Sequence, residues 1–198
     1  MATLWTSDAI EDWQRALGSY ASVIAQQGVE RLPDLDRWYR DELPVTIAAR
    51  QPAHVTLAEL VRLTQWKMAR GVWRARNLAL VRGNAPELVV ETSATALAKA
   101  PHATAPIAGL AQVAGVGPAT ASAIAAATTP SVYPFFDELV AAQIPQSGKL
   151  AFTLSYYARY AAALRERADR LGQRWTPVMV ERALWANVGG KAGAQQWS

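Results

Sequence analysis

Apolar residues recur at the spacing of an amphipathic helix along almost the whole chain, and this periodicity restricts the fold more than any other feature. It is clearest near both ends, at Ile10, Trp13, Leu17 and Ile24 and again at Phe152, Tyr156, Tyr160, Leu164 and Leu171. Prolines stand where helices are expected to start or break, at Pro33, Pro44, Pro86, Pro101, Pro106, Pro118, Pro134, Pro145 and Pro177. Alternating β-branched runs are missing, because ELVVET is too short and isolated to build a sheet. The sequence therefore predicts an all-α protein with about nine short to medium helices.

The chain is long enough and apolar enough for one substantial domain. It has 198 residues, of which 51% are hydrophobic, and a chain of this size and composition can fill a core. We expect a single helical domain over residues 1–188. The last segment, NVGGKAGAQQWS, is rich in glycine and glutamine, so residues 189–198 are predicted to form a frayed tail.

Simple counts exclude several classes of protein. The chain has no cysteine, which removes disulfides, zinc sites built on thiolates and cysteine-ligated iron–sulfur clusters. The N-terminal stretch MATLWTSDAIEDW lacks a basic region and does not read as a secretory signal. No apolar run approaches the roughly 18 residues of a membrane span. We therefore expect no membrane association and an intracellular location, in the cytoplasm, nucleoid or nucleus.

Positive charge is unevenly distributed along the chain, although the net charge is only +4. Residues 1–50 carry a net charge of −3, residues 60–86 contain no acid and carry +6, and residues 147–198 carry +5. Two basic zones thus flank the middle of the sequence. Concentrated positive charge of this kind favours anionic partners.

The segment 106–128, between these zones, combines two glycines, a proline and a run of small residues. A short apolar stretch, IAGLAQV, leads to Gly115-Val116-Gly117, and Pro118 then opens a helix that reads PATASAIAAAT. Pro118 suits the first position of a helix, where its missing N–H is not needed. The glycines leave backbone N–H groups uncovered at the positive end of the helix dipole. The segment therefore predicts an anion-binding hairpin.

The glycine-rich segment has three other interpretations. A dinucleotide-binding loop would need a third glycine at Thr120 and a preceding strand, and the sequence has neither. A phosphate-binding P-loop would need Gly-Lys-Ser/Thr, but the stretch SGKL ends on leucine. A tight connection between two packed helices, with no ligand, remains open.

The stretch GLAQVAGVGPATASAIAAA resembles the helix-hairpin-helix motif, which has Gly-apolar-Gly and then a small-residue helix with Ala at the position of Ala121. The residues beyond this motif are similar to the helix-hairpin-helix DNA glycosylase superfamily, in which a proline-containing loop leads from the hairpin to an essential aspartate. Asp137 stands twenty residues after Gly117, preceded by SVYPFF, at the interval typical of that superfamily.

The resemblance implies an all-α, helix-hairpin-helix glycosylase-like fold with two helical lobes around a cleft, and double-stranded DNA as the partner. The residues that would hold a DNA phosphate at the hairpin are Gly115, Val116, Gly117 and Thr120. A monovalent cation is implied on the backbone carbonyls of Ala111, Val113 and Val116. Asp137 would stabilise the cationic sugar that develops as the glycosidic bond of an extruded base breaks.

The basic stretch LTQWKMARGVWRAR is where we expect further DNA contacts. If it is one helix, Lys67, Arg70 and Arg74 share a face at i, i+3 and i+7 and suit phosphates. Trp66 and Trp73 lie beside them and would stack on bases or wedge between them. The alternative for two tryptophans at this spacing is packing in the core.

Departures from the superfamily pattern refine the expected reaction. Bifunctional members carry a lysine where this chain has Ala119, so lyase chemistry by that route is not expected. Members with an iron–sulfur cluster carry four cysteines, which are missing here. Glu138 adds a second acid that would repel DNA unless turned away. Asp137 itself has an alternative role as the N-cap of a short helix.

The sequence therefore predicts a DNA-binding protein that acts as a monofunctional glycosylase and excises a modified or mismatched base. A non-catalytic member of the same fold, which binds DNA structure or damage, is the first alternative. A helical protein-interaction module with a purely structural hairpin is the second.

Overall fold

The computed structural model describes residues 4–145, 148–172 and 174–194, and all regular secondary structure in these ranges is helical. The α-helices are α1 Ile10–Gly18, α2 Tyr20–Ala25, α3 Leu32–Arg37, α4 Leu43–Ala48, α5 Leu57–Arg70, α6 Ala75–Arg82, α7 Pro86–Leu97, α8 Ala105–Leu110, α9 Pro118–Thr128, α10 Glu138–Ala141, α11 Leu154–Leu171, α12 Pro177–Asn187 and α13 Gly190–Ala194. A five-residue π turn, Trp38–Glu42, joins α3 to α4. None of the described helices has both the length and the apolar composition needed to cross a membrane. The all-α prediction is confirmed.

The predicted number of helices was too low, because several breaks carry no proline. Ser19, for example, separates α1 from α2 without a proline. Where the local signals are strong the helix starts are as expected: Pro86, Pro118 and Pro177 are each the first residue of a helix. Helix α5 begins at a capping box in which Thr56 and Glu59 bond each other's backbone N–H groups.

A continuous core extends through the described residues from Leu4 to Ala186, and α9 lies at its centre. Residues 119–127 of α9 are all buried, and most of them are alanines. Small side chains allow neighbouring helices to approach the α9 backbone closely, as shown by the Tyr39 hydroxyl, which donates to the Ala123 carbonyl at 2.8 Å. The hairpin helix is therefore fixed in the interior, with its N-terminal end at the surface.

The predicted fraying of residues 189–198 is wrong for its first part. Residues Gly190–Ala194 form α13, which packs back on the domain. The Gln27 side chain donates to the Gly189 carbonyl at 3.0 Å and accepts the Ala192 N–H at 2.9 Å, while Lys191 donates to the Gly71 carbonyl at 3.0 Å. Specific polar contacts to distant residues thus order a glycine-rich segment. Residues 195–198 lie outside the described ranges.

Candidate active site

A cavity of about 260 Å³ opens between the start of α9, the segment after α5 and the loops around α10 and α11. Its lining combines two cations, Lys67 and Arg74, with two acids, Asp137 and Glu138. Gly117 and Thr120 of the hairpin contribute to the same wall. The fold therefore brings together, in one cavity, residues that the sequence singled out in three separate stretches.

The hairpin conformation depends on Gly115. This glycine has φ +79°, a backbone conformation that side chains other than glycine rarely adopt. A Cβ atom here would lie 2.7 Å from the Asn77 carbonyl oxygen and 2.9 Å from Val81. Glycine is therefore required at position 115 for two reasons: its positive φ, and the close approach of the hairpin to α6.

Asn84 fixes the hairpin from the other side. Its side-chain oxygen accepts the Ala114 N–H at 3.1 Å, and its side-chain nitrogen donates to the Ala114 carbonyl at 3.0 Å. The same nitrogen also donates to the Val81 carbonyl at 2.9 Å. One largely buried amide thus ties the hairpin peptide to the end of α6.

The first turn of α9 presents free hydrogen-bond donors. In the part of the chain that the structure describes, the N–H groups of Gly117, Ala119 and Thr120 have no protein acceptor. The Gly117 carbonyl, in contrast, already accepts the Ala121 N–H at 2.9 Å. These donors lie at the positive end of an 11-residue helix, which is the arrangement that binds anions in proteins.

The Val116 N–H is not free to bind a phosphate, so the sequence-based prediction of a phosphate contact at Val116 is wrong. Its N–H donates to the Val113 carbonyl at 3.0 Å, and its side chain is buried. The carbonyls of Ala111, Val113 and Val116 remain the predicted ligands of a monovalent cation. Val113 would ligate with its second lone pair, because the first accepts this turn hydrogen bond.

Asp137 is almost fully buried and caps α10. Its Oδ1 accepts the Leu139 N–H at 2.8 Å, so the N-cap role that the sequence left open is confirmed. Its Oδ2 lies 3.7 Å from Arg70 Nε, which is too far for a hydrogen bond but close enough for strong electrostatic attraction. A catalytic role for Asp137 stays a prediction. Asp137 Oδ2 takes no part in the cap and faces Arg70.

The loop before Asp137 is held by hydroxyl groups of two helices. The Phe136 N–H donates to Ser122 Oγ of α9 at 2.9 Å. Tyr157 and Tyr160 of α11 donate to the carbonyls of Pro134 and Phe135, at 3.2 and 2.6 Å. Buried hydrogen bonds of this kind fix a backbone, so Asp137 is presented from a rigid support.

Arg70 is not available to a DNA phosphate, contrary to the prediction. Its side chain is 2% exposed and forms an ion pair with Glu181, whose side chain is 1% exposed. Among the described residues, four aromatic rings have their centroids within 6 Å of the guanidinium, those of Tyr20, Trp66, Phe135 and Trp185. Burial, together with the nearby Asp137, raises the pKa of Glu181 to about 7 against the opposing effect of Arg70.

The predicted basic face of a single helix is also wrong, because α5 ends at Arg70 and Gly71 follows as its C-cap. Arg74 belongs to the start of α6 instead. Even so, Lys67 and Arg74 meet at the cavity. Burial, and then the nearby Arg74, lowers the pKa of Lys67 against the opposing charges of Asp137 and Glu138.

The two tryptophans of the basic stretch have different environments. Trp66 is fully buried, stacks on Tyr39 with ring centroids 3.7 Å apart, and donates its indole N–H to Asp36 at 3.0 Å. A wedge or stacking role for Trp66 is therefore excluded, and the core alternative holds. Trp73 is half exposed beside the cavity-lining Val72 and Arg74, so its stacking role stays a prediction.

Sequence reasoning did not identify the aromatic wall of the cavity. Phe136 and Phe152 line it, with ring centroids 5.1 Å apart. The helical periodicity had placed Phe152 in a helix core, but α11 begins at Leu154 and Phe152 is 47% exposed. The helix-starting Thr153, whose hydroxyl accepts the Tyr156 N–H, was the available signal for this boundary.

The cavity thus combines three kinds of groups. Free N–H donors and two cations suit a phosphate, the half-exposed ring of Phe152 suits a planar base, and a buried carboxylate suits a developing positive charge. The chain matches no protein-family model, no curated protein and no solved structure. The resemblance of its hairpin to the glycosylase superfamily therefore stays a prediction, and functional inference depends on the residues of this cavity.

Proposed function

We propose that this protein binds double-stranded DNA at the hairpin and excises a modified or mismatched base into the cavity beside it. The observation that carries the proposal is the lining of that cavity, where free N–H groups of α9, Lys67 and Arg74 lie together with the buried Asp137. Base excision requires a phosphate contact, a pocket for the base and an anionic group, and groups suited to each of these line the same cavity.

The phosphate contact in this proposal is formed by the first turn of α9. Gly117 is exposed and has no atom within 4 Å of the position of a Cβ, so a phosphate can approach its backbone. The N–H groups of Ala119 and Thr120 follow on the same helix end. Arg74, which is exposed at the cavity, adds positive charge to this contact.

The reaction in this proposal is hydrolysis of the N-glycosidic bond with Asp137 as the catalytic carboxylate. Its negative charge, held on a rigid loop, stabilises the cationic sugar as the base departs. Phe152, which lines the cavity and is 47% exposed, provides a ring face on which the extruded base stacks. Ala119 occupies the position of the lyase lysine, so the hairpin itself supplies no amine nucleophile.

A non-catalytic DNA binder is the second candidate, and the surroundings of Asp137 are the observation that favours it. The side chain of Asp137 is only 10% exposed, one of its oxygens caps α10 and the other faces Arg70 at 3.7 Å, so the carboxylate already has a structural role. The two candidates share the DNA contact and differ only in whether Asp137 releases a base.

DNA binding is tested by measuring duplex affinity over a range of salt concentrations. Affinity should fall as salt rises, and Arg74→Gln should reduce the slope of log K against log salt by about 1. Arg82→Gln is the matched control, because Arg82 is exposed at the far end of α6 and does not line the cavity. A duplex affinity that changes neither with salt concentration nor in Arg74→Gln would overturn the proposal.

A substitution at Gly117 tests the proposed phosphate contact at the hairpin. Gly117→Val has room for its side chain and an ordinary extended backbone at φ −95°, so the fold should persist. The new side chain covers the N–H donors, and we expect duplex affinity to drop about tenfold or more. Base release that disappears in Asp137→Asn, while duplex binding persists, separates the enzyme from the non-catalytic binder.

A further inference from the structure

Lys67 differs from the other three lysines of the chain, because it alone among them lines the cavity. Lys99 and Lys149 are exposed, and Lys191 donates to the Gly71 carbonyl. Within the described residues, the Lys67 amine has neither an ion pair nor a hydrogen bond. A half-buried amine without a partner thus borders a cavity that also contains Asp137.

The surroundings of Lys67 lower the pKa of its amine. Its pKa is lowered by burial first and by the Arg74 guanidinium second, while Asp137 and Glu138 act in the opposite direction. Desolvation and a neighbouring cation are the two means by which proteins convert lysine into a nucleophile at neutral pH.

We propose that Lys67 forms an imine with the aldehyde of an abasic deoxyribose held in this cavity. The proposal rests on the proposed function, because base release leaves that sugar next to Lys67. It assigns the nucleophile to α5, whereas the hairpin position that carries a lysine in bifunctional glycosylases is Ala119 here. Lys67 thus supplies an amine nucleophile to a site whose hairpin has no lysine.

The step balances without an oxidant or a metal. The sugar C1′ aldehyde is attacked by the neutral amine, which forms a C–N bond and, after proton transfer, a carbinolamine. Loss of the C1′ hydroxyl as water gives the imine, and hydrolysis reverses both steps. Glu138, the exposed acid that lines the cavity, exchanges the protons of these steps. The proposal ends at the imine and requires no strand cleavage.

The test uses the full chain, a labelled duplex with one preformed abasic site, and sodium cyanoborohydride, which reduces an imine to a stable amine. We expect a covalent protein–DNA adduct that peptide mapping locates at Lys67. Lys67→Arg keeps the positive charge but should lower adduct yield about tenfold or more. Lys149→Arg is the matched control, because this exposed lysine does not line the cavity, and its yield should equal that of the unmodified protein.

A preformed abasic site separates this proposal from the proposed function. Duplex binding without an adduct, or an adduct that persists in Lys67→Arg or maps to another amine, would overturn the Lys67 proposal alone. Failure to bind the duplex at all would overturn the proposed function and the imine with it. A far-UV circular dichroism spectrum and a thermal midpoint of Lys67→Arg that match those of the unmodified protein show that the variant is folded.

Discussion

Replacing Arg70 with methionine removes the guanidinium that lies between two buried carboxylates, those of Glu181 and Asp137. The guanidinium pairs with Glu181 and lies 3.7 Å from Asp137, and the exposed fractions of the two acid side chains are 1% and 10%. Methionine fills the space between the surrounding aromatic rings, so lost packing contributes little. Removal of one partner of a buried pair typically costs about 3–5 kcal/mol, and we expect Arg70→Met to destabilise the fold by about 4 kcal/mol.

The stability lost in Arg70→Met should grow as the pH rises. In the unmodified protein Glu181 has a pKa of about 7, raised from 4.5 by burial, and without Arg70 that pKa rises further. Above about pH 7, folded Arg70→Met therefore holds a proton that its unfolded chain has released. Raising the pH favours unfolding of the variant relative to the unmodified protein, by about 1.4 kcal/mol per pH unit until Glu181 ionises in the variant as well.

Urea denaturation at several pH values measures both effects. The double variant Arg70→Met/Glu181→Gln should recover about 2–3 kcal/mol relative to Arg70→Met and lose the added pH dependence, because no orphaned carboxyl remains at 181. Arg62→Met, on the exposed face of the same helix, is the control and should cost less than about 1 kcal/mol. Equal stability of Arg70→Met and Arg62→Met, or no recovery in the double variant, would refute the reasoning.

Three further predictions concern the hairpin and the aspartate. Gly115→Ala should lower the free energy of unfolding by about 2–3 kcal/mol, because of its positive φ and the contact at 2.7 Å. Gly117→Ala has no such contact and should cost about 1 kcal/mol or less in the same urea titration, because alanine is only a poorer N-cap than glycine. Asn84→Ala leaves the backbone N–H and C=O of Ala114 without their side-chain partner and should cost about 1–3 kcal/mol; unchanged amide exchange at Ala114 would contradict this role. Asp137→Asn should be about 1 kcal/mol more stable than Asp137→Ala in thermal unfolding, because asparagine also caps helices.

The features that could be predicted from the sequence are those with local causes. Prolines and capping residues set helix starts, and the spacing of Gly115, Gly117 and Pro118 indicated the turn that precedes α9. The hairpin residues Gly117 and Thr120 do line the cavity together with Asp137. Local geometry is enough for such features, because each depends on neighbours within one or two turns.

The environments of Arg70 and Trp66 depend on distant residues and could not be predicted in this way. Arg70 is buried because Glu181, 111 residues later in the chain, supplies its counter-charge. Trp66 is buried against Tyr39 and Asp36, on another helical segment. Gly71 was the one local clue, since a glycine after a helical stretch often ends the helix and so separates the environments of Trp66 and Trp73.

The most direct test of the central claim is a base-excision panel with purified protein. Duplexes carrying uracil, oxidised, alkylated or deaminated bases, or mismatches, are incubated with the protein and analysed with and without hot alkali. We expect strand breaks that require alkali for at least one class of base, and their loss in Asp137→Asn with duplex binding retained. Binding to the duplexes without base release from any of them would contradict the claim and identify the protein as a non-catalytic DNA binder.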